Sequence, residues 1–206
     1  MHDNRNSRDP IVALCRTLHQ IRRKADLLLP LQIRDVDGNE DDRRGTISIF
    51  DGPEPDIRLF DTEDEEMAFV GDWIAEAIVA STAPEEIRVF VRDHAELDRA
   101  KAAVRHSGQK WITLQDRIEE APGKVVVGTM HLAKGLEFKA VAVMACDDEV
   151  IPLQERIETA AEVAELDEIY NTERHLLYVA CTRARDRVAV TGIAPGSEFL
   201  ADLIPP

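Results

Sequence analysis

The fold is indicated most clearly by residues 124–146, which read KVVVGTMHLAKGLEFKAVAVMAC. Two apolar, β-branched runs, Lys124–Thr129 and Ala140–Cys146, flank a short polar segment. We therefore predict two strands joined by a polar turn. Strands that are apolar throughout are typical of a parallel sheet covered on both faces, and such sheets bind ligands at the carboxyl ends of their strands.

Polar residues that could carry chemistry lie in the turn between these two strands. We expect His131, Lys134 and Glu137 to lie together at the carboxyl edge of the sheet. Gly135 permits close approach of the backbone, and its neighbouring N–H groups could face a phosphate. A plain polar turn is the alternative interpretation of the same residues.

Outward from this stretch, the chain alternates between short apolar runs and amphipathic patterns. This alternation predicts an α/β domain with a mostly parallel sheet. We expect a single domain over residues 1–206, with acidic surface segments at 35–56 and 147–168 and a small strand at Thr46–Phe50. Strands are further predicted at Ile57–Phe60, Ile87–Val91, Lys110–Leu114 and Arg187–Thr191, and helices at Ile11–Leu29, Glu63–Val79, Asp93–His106 and Asn171–Arg185.

Composition excludes several classes of protein. The 206 residues include 40 acidic and 25 basic side chains, for a net charge of −15, which argues against a stand-alone nucleic-acid binder. The sequence has neither an apolar run of membrane-spanning length nor a signal-peptide pattern, so we expect a cytoplasmic protein without membrane contact. Cys15, Cys146 and Cys181 are scattered, and we interpret them as reduced thiols.

A second informative segment is residues 173–187, ERHLLYVACTRARDR. Its apolar residues form one helical stripe, and its arginines gather at the carboxyl end of that helix. Cations at this end complement the helix dipole, which is one interpretation. The other is that Arg183 reaches a phosphate and offsets the charge that develops during phosphoryl transfer.

Together the two segments closely resemble two motifs of the UvrD/Rep-type superfamily 1 DNA helicases. The family patterns are T-x-H-x-x-K-G-L-E-F and E-R-x-L-x-Y-V-x-x-T-R-A, and both match in order and spacing. Residues 14–21, LCRTLHQI, are similar to a third pattern, N-Y-R-[ST]-x-x-x-I, with Leu14 and Cys15 in place of its Asn and Tyr. This resemblance implies the C-terminal domain of such a helicase, a RecA-like (P-loop NTPase type) fold in three layers, in the compact form without the large inserted domain.

The resemblance also implies roles for individual residues. Arg183 and Arg16 would be catalytic and touch the γ-phosphate of ATP bound between two RecA-like domains. The backbone at Gly135 would lie close to the phosphates of ATP, and the carboxylate of Glu137 would hydrogen-bond its ribose. Single-stranded DNA would run along the domain edge, and the supporting residues would assist the arginine or couple the two sites. The DNA-facing residues would be Thr129 and His131, and the supporting residues Lys134, Arg174 and Tyr178.

A phosphate-binding loop is missing from the sequence, which contains no G-x-x-x-x-G-K-[ST] pattern. Residues 140–149 mimic a Walker B strand, but without that loop we do not interpret them as one. We therefore expect ATP and Mg²⁺ only in a complete enzyme with an N-terminal RecA-like domain, and neither bound tightly by this chain alone. Two alternatives stay open: a split enzyme whose first half is a separate polypeptide, and a truncated, non-enzymatic interaction module that keeps the helicase fold.

Overall fold

A computed structural model of the chain describes residues 17–29, 32–34, 40–42, 52–114 and 122–204. Its strands are β1 Gln32–Arg34, β2 Glu40–Asp42, β3 Asp56–Phe60, β4 Ile87–Val91, β5 Trp111–Thr113, β6 Val125–Thr129, β7 Phe138–Val143 and β8 Ala184–Ile193. Its α-helices are α1 His19–Ala25, α2 Glu63–Val79, α3 Leu97–His106, α4 Gln154–Glu158, α5 Val163–Thr182 and α6 Glu198–Leu203. Arg16, most of the predicted acidic segment 35–56 and the predicted strand Thr46–Phe50 lie outside the described residues.

Within the described ranges, one parallel sheet has the strand order β3-β8-β7-β4-β6-β5. Because every pair is parallel, the strand starts share one side, which we call the amino edge, and the strand ends share the other, the carboxyl edge. A separate antiparallel pair, β1 and β2, was not predicted. The α/β class is confirmed.

Helices cover both faces of this sheet and give the domain three layers. On one face, α1, α5 and α6 pack on alternate strand residues such as Phe90 and Val141, and on the other, α2 and α3 pack on residues such as Val89 and Ala142. The first face also buries the thiols of Cys146 and Cys181. A sheet that is apolar on both sides requires this arrangement, because either bare face would expose a contiguous apolar surface.

Helix α2 has the predicted bounds because its ends are encoded locally. The side chain of Thr62 accepts a hydrogen bond from the Glu65 N–H, which caps the first turn. Its buried stripe, with Val70, Trp73 and Ile74, follows the 3.6-residue period. A Cβ atom at Gly71 would lie 2.7 Å from the ring of His106, so a glycine there lets α2 approach α3 closely.

Other helices differ from the predictions at their ends. Helix α3 begins at Leu97 rather than Asp93, and α5 begins at Val163 rather than Asn171 and ends at Thr182, so the acidic stretch before Asn171 is partly helical. The predicted surface segment 147–168 is largely exposed, but Asp147, Ile151 and Pro152 near its start are buried. No helix among the described residues combines the length and apolarity needed to cross a membrane.

Candidate functional site

Arg183 lies at the amino edge, directly between α5 and β8. Its backbone oxygen accepts from the Phe138 N–H at 2.9 Å, which ties it to the start of β7. Its guanidinium donates to the carbonyl oxygens of Val179 (3.2 Å) and Leu136 (3.3 Å) and to the Thr182 hydroxyl (3.5 Å). These acceptors are all neutral, and no described carboxylate pairs with Arg183. The side chain is therefore held in place without an acidic partner among the described residues, and guanidinium groups are chemically suited to contact oxyanions.

The turn between β6 and β7 does not lie wholly at the carboxyl edge, which corrects one expectation. His131 follows β6 at the carboxyl edge, whereas Glu137 immediately precedes β7 at the amino edge. The reason is that the strands are parallel, so the connection must cross from one edge to the other. Glu137 is thereby brought beside Arg183, and His131 is separated from both.

Gly135 and Lys134 occupy the middle of this crossing connection. Both are exposed, and Gly135 has a φ of +80°, a conformation that favours glycine. A Cβ at this position would meet no atom within 4 Å. The backbone here is therefore open to a ligand, and the side chain of Lys134 is exposed to solvent.

Thr129 and His131 line a cleft of about 720 Å³ at the carboxyl edge of β4, β5 and β6. Thr129 is largely buried, and His131 is exposed. Loss of solvation beside the cleft and the positive charge of Arg92 lower the pKa of His131 below its ordinary value, so the neutral form of its imidazole predominates at pH 7. The full lining is Asp93, His94, Leu97, Lys101, Thr113, Leu114, Gly128, Thr129, His131 and Leu132.

Behind this cleft lies a buried ion cluster that the sequence analysis missed. Arg92, at the end of β4, donates two hydrogen bonds of 2.5 and 2.6 Å to Glu173 of α5, and Arg156 donates a third at 2.9 Å. Glu173 is fully buried and Arg92 is 4% exposed. Burial alone would raise the pKa of Glu173, but the two guanidinium groups outweigh it and hold that pKa below its ordinary value.

A second buried cluster involves the Walker-B-like run. Asp147 accepts from Arg99 at 2.5 Å and from the Ile193 N–H at 2.7 Å, and Arg99 also pairs with Glu66. Glu66 accepts in turn from the Thr191 hydroxyl at 2.6 Å. These bonds join α2, α3, β8 and the loop after β7, which gives Asp147 a structural explanation.

The predicted supporting residues of α5 contact neighbouring helices. Arg174 pairs with Asp202 of α6 and lies over the ring of Phe199 at 4.3 Å. The ring of Tyr178 lies 5.8 Å below the guanidinium of Arg22 in α1. Both residues therefore hold the layer that carries Arg183.

Residues that follow Arg16 pack at the amino edge. The hydroxyl of Thr17 donates to the Thr182 oxygen at 3.3 Å, and the Leu18 N–H donates to the Arg185 oxygen at 3.1 Å. The chain directly after Arg16 is thus adjacent to Arg183. Across the described ranges, no group of three or more His, Cys, Asp or Glu side chains is arranged to hold a metal ion.

Comparison with known proteins gives a consistent result. Residues 110–194 match the UvrD-like helicase C-terminal domain family. The DNA helicase UvrD1 of Mycobacterium tuberculosis is 38% identical over 73 residues, 35% of this chain and 9% of that protein. PcrA of Bacillus subtilis is 32% identical over 103 residues, 44% of this chain and 13% of that protein. The matched region thus spans about a tenth of either relative.

A crystal structure of the C-terminal domain of a possible DNA helicase from Lactobacillus plantarum has the same fold. It aligns with a TM-score of 0.63 over 93% of this chain and 95% of its own, at 22% identity. The six-stranded parallel sheet, the two motifs at its edges and the family match agree. Residues 110–194 of this chain therefore belong to the UvrD-like helicase C-terminal domain family.

Proposed function

We propose that this chain is the C-terminal RecA-like half of an ATP-dependent DNA helicase or translocase, and that it contributes Arg183 to an ATP site completed by an N-terminal RecA-like domain. The observation that carries the proposal is the Arg183 guanidinium, which is fixed by three neutral oxygens and has no described carboxylate partner. An arginine held in this way is suited to meet the γ-phosphate at the moment of transfer.

Two neighbours support the same assignment. Glu137 is exposed beside Arg183 and can accept hydrogen bonds from ribose hydroxyls, and Gly135 leaves the backbone open to phosphate oxygens. Arg16 immediately precedes Thr17, whose hydroxyl contacts Thr182. We assign Arg16 as the second phosphate-facing arginine. The phosphate loop and Mg²⁺ would come from the N-terminal domain, since these 206 residues have no Walker A pattern.

The DNA-facing part of the proposal rests on the carboxyl-edge cleft. In this cleft Thr129 and the imidazole of His131 offer hydrogen-bonding groups, and the cleft volume of about 720 Å³ accommodates a short segment of single-stranded DNA. Single-stranded DNA would run along this edge, opposite the edge that holds Arg183. Separation of the two ligands to opposite edges would let closure around ATP shift the domain along the strand.

The test replaces Arg183 in the complete helicase that contains this domain. Arg183→Ala should lower ATP turnover by about 10³-fold or more, the range measured for arginine fingers. Arg105→Ala is the matched control, because Arg105 is an exposed arginine in the last turn of α3. Normal turnover in the Arg183 variant, with an unchanged circular dichroism spectrum, would refute the assignment.

A second candidate function is a non-enzymatic interaction module, which the net charge of −15 favours slightly. Calorimetry on the isolated chain bears on the ATP site itself. We expect weak ATP binding, because one wall of the site belongs to another domain, and micromolar affinity would mean that the site is elsewhere. An immunoblot of native cells bears on the module: a 23.1-kDa band with no co-purifying Walker-loop protein would favour it.

A further inference from the structure

The described lining of the carboxyl-edge cleft contains a single lysine or arginine, which is Lys101 of α3. The other basic side chains of this lining are the imidazoles of His94 and His131. Arg92 lies behind the cleft, but it is 4% exposed and donates two hydrogen bonds to Glu173, so it is not open to a ligand. A phosphate group in this cleft would therefore have Lys101 as its cation.

The side chain of Lys101 is held beside the cleft rather than extended into solvent. Its ammonium nitrogen lies 5.3 Å from the centre of the Trp111 ring and donates to Asp98 at 2.8 Å, and its side chain is 20% exposed. The face of an indole ring attracts a cation at this distance. An ammonium group has three N–H donors, and among the described residues only Asp98 takes one of them. Lys101 is therefore a positioned cation with donors left for an anion.

Two carboxylates bear on this ammonium group, and they differ in what they bond. Asp93 is the one carboxylate of the described lining, and it accepts from the Ala95 N–H at 2.8 Å in the turn before α3. Asp98 lies outside the lining, is 90% exposed and bonds Lys101. An ion pair with so exposed a partner contributes little to stability, so it opens at small cost. Asp98 is thus a weak competitor that another anion can displace.

We propose that Lys101 binds a phosphodiester group of single-stranded DNA in the carboxyl-edge cleft, and that Asp98 weakens this contact by competing for the same ammonium group. The unesterified oxygens of a phosphodiester accept hydrogen bonds from an ammonium group, and their charge is shared between them. The cleft lining offers one lysine against the carboxylate of Asp93, so it has no charge to hold a second phosphate. The contact is therefore limited to a single phosphodiester of the strand.

This contact rests on the proposed function, which places single-stranded DNA in the cleft, and it adds the residue that meets the backbone of the strand. Thr129 and His131 lie on the β6 side of the cleft, whereas Lys101 lies on the α3 side. The strand would thus be held from both sides. Because every group belongs to this chain, binding can be measured without ATP and without the N-terminal domain.

The experiment titrates the full chain with an oligothymidylate of about eight nucleotides and follows the backbone amides of residues 97–101 and 128–132 by NMR. We expect weak but saturable shifts in both segments at low salt, with an affinity that falls as the salt concentration rises. Shifts at 128–132 without shifts at 97–101 would overturn this inference and leave the DNA-facing part of the proposed function standing. No saturable shift in either segment would refute both.

Two variants break the same 2.8 Å bond and should change the affinity for the oligonucleotide in opposite directions. Lys101→Gln should lower the affinity by about threefold or more and reduce the slope of log affinity against log salt by about 0.7, the contribution of one phosphate contact on a single strand. Asp98→Asn should raise the affinity by about twofold or more, since the ammonium group loses its competitor. Lys110→Gln, which removes an exposed lysine at the amino edge, is the matched control and should leave the affinity unchanged.

A purely structural ion pair would give a different result. Both variants would then lose the same bond, change the stability in the same direction and leave the affinity unaltered. Affinities that change in the same direction, or an unchanged salt slope in Lys101→Gln, would overturn the proposal. An equal loss of affinity in Lys110→Gln would also overturn it, because the effect would then come from the overall charge of the chain.

Discussion

Replacement of Glu173 by alanine tests the buried cluster behind the carboxyl-edge cleft. In this variant Arg92, which is 4% exposed, stays buried but loses its hydrogen bonds of 2.5 and 2.6 Å to Glu173. Removal of one partner from a buried pair costs about 3–5 kcal/mol, because the other charge stays buried. Arg156 is 40% exposed and can turn to solvent, so its lost bond adds no more than about 1 kcal/mol.

Urea unfolding of the chain measures this free-energy change directly. The free energy of unfolding should fall by about 3–5 kcal/mol, which corresponds to a decrease in Tm of roughly 6–20 °C for a chain of this size. Arg156→Ala should lose about 1 kcal/mol or less. Glu168→Ala, an exposed position on the same helix, is the matched control and should change the stability little. A loss below about 1 kcal/mol in Glu173→Ala would refute the reasoning, because Arg92 would then have found another partner or water.

Three further expectations follow from the same contacts. The pKa of Glu173 is lower in the folded protein than the value near 4.5 in the unfolded chain, so its ionised form stabilises the fold above that unfolded-state pKa, and this stability is lost as the pH falls through the folded-state pKa. Glu173→Gln should therefore reduce the slope of the free energy of unfolding against pH in the acid range, and an unchanged slope would argue against this. Gly71→Ala should destabilise by about 1–3 kcal/mol in thermal melts, because its Cβ would press on His106 and on a backbone oxygen of α3; wild-type stability would show that the helices separate freely. Thr62→Ala should cost about 1 kcal/mol in the same melts through loss of the bond from Glu65, whereas Thr62→Ser should restore most of it.

Local signals in the sequence predicted the elements whose ends are encoded nearby. Helix α2 has its predicted bounds because Thr62 caps it and its apolar stripe follows at once. The strands β4 and β6 consist mostly of apolar, β-branched residues, so they were recognised without knowledge of their partners. Helix α5 begins earlier than predicted. Its first residues, from Val163 to Glu168, are mostly exposed and include three acids, so they were interpreted as part of an acidic surface segment rather than as helix.

Long-range pairings were beyond the sequence analysis. Arg92 and Glu173 are 81 positions apart, and nothing in either local pattern indicates the other. The same holds for the edge at which Glu137 lies, since that depends on how the connection after β6 crosses the sheet. The motif residues were recognised by resemblance, and their assigned roles stay predictions. Arg88 is one polar residue within strand β4, and no local pattern in the sequence indicates that it is buried.

The two buried thiols on the α1–α5–α6 face of the sheet can be used to measure how often these helices separate from the sheet. Burial raises the pKa of Cys181 to about 12 and raises that of Cys146 as well, so neither sulfur is a thiolate at neutral pH. Both lie between helices and sheet, where an alkylating reagent cannot reach them until those layers separate. The rate at which these sulfurs are modified in native buffer therefore measures how often the protein unfolds, and a ligand that holds the layers together would lower that rate.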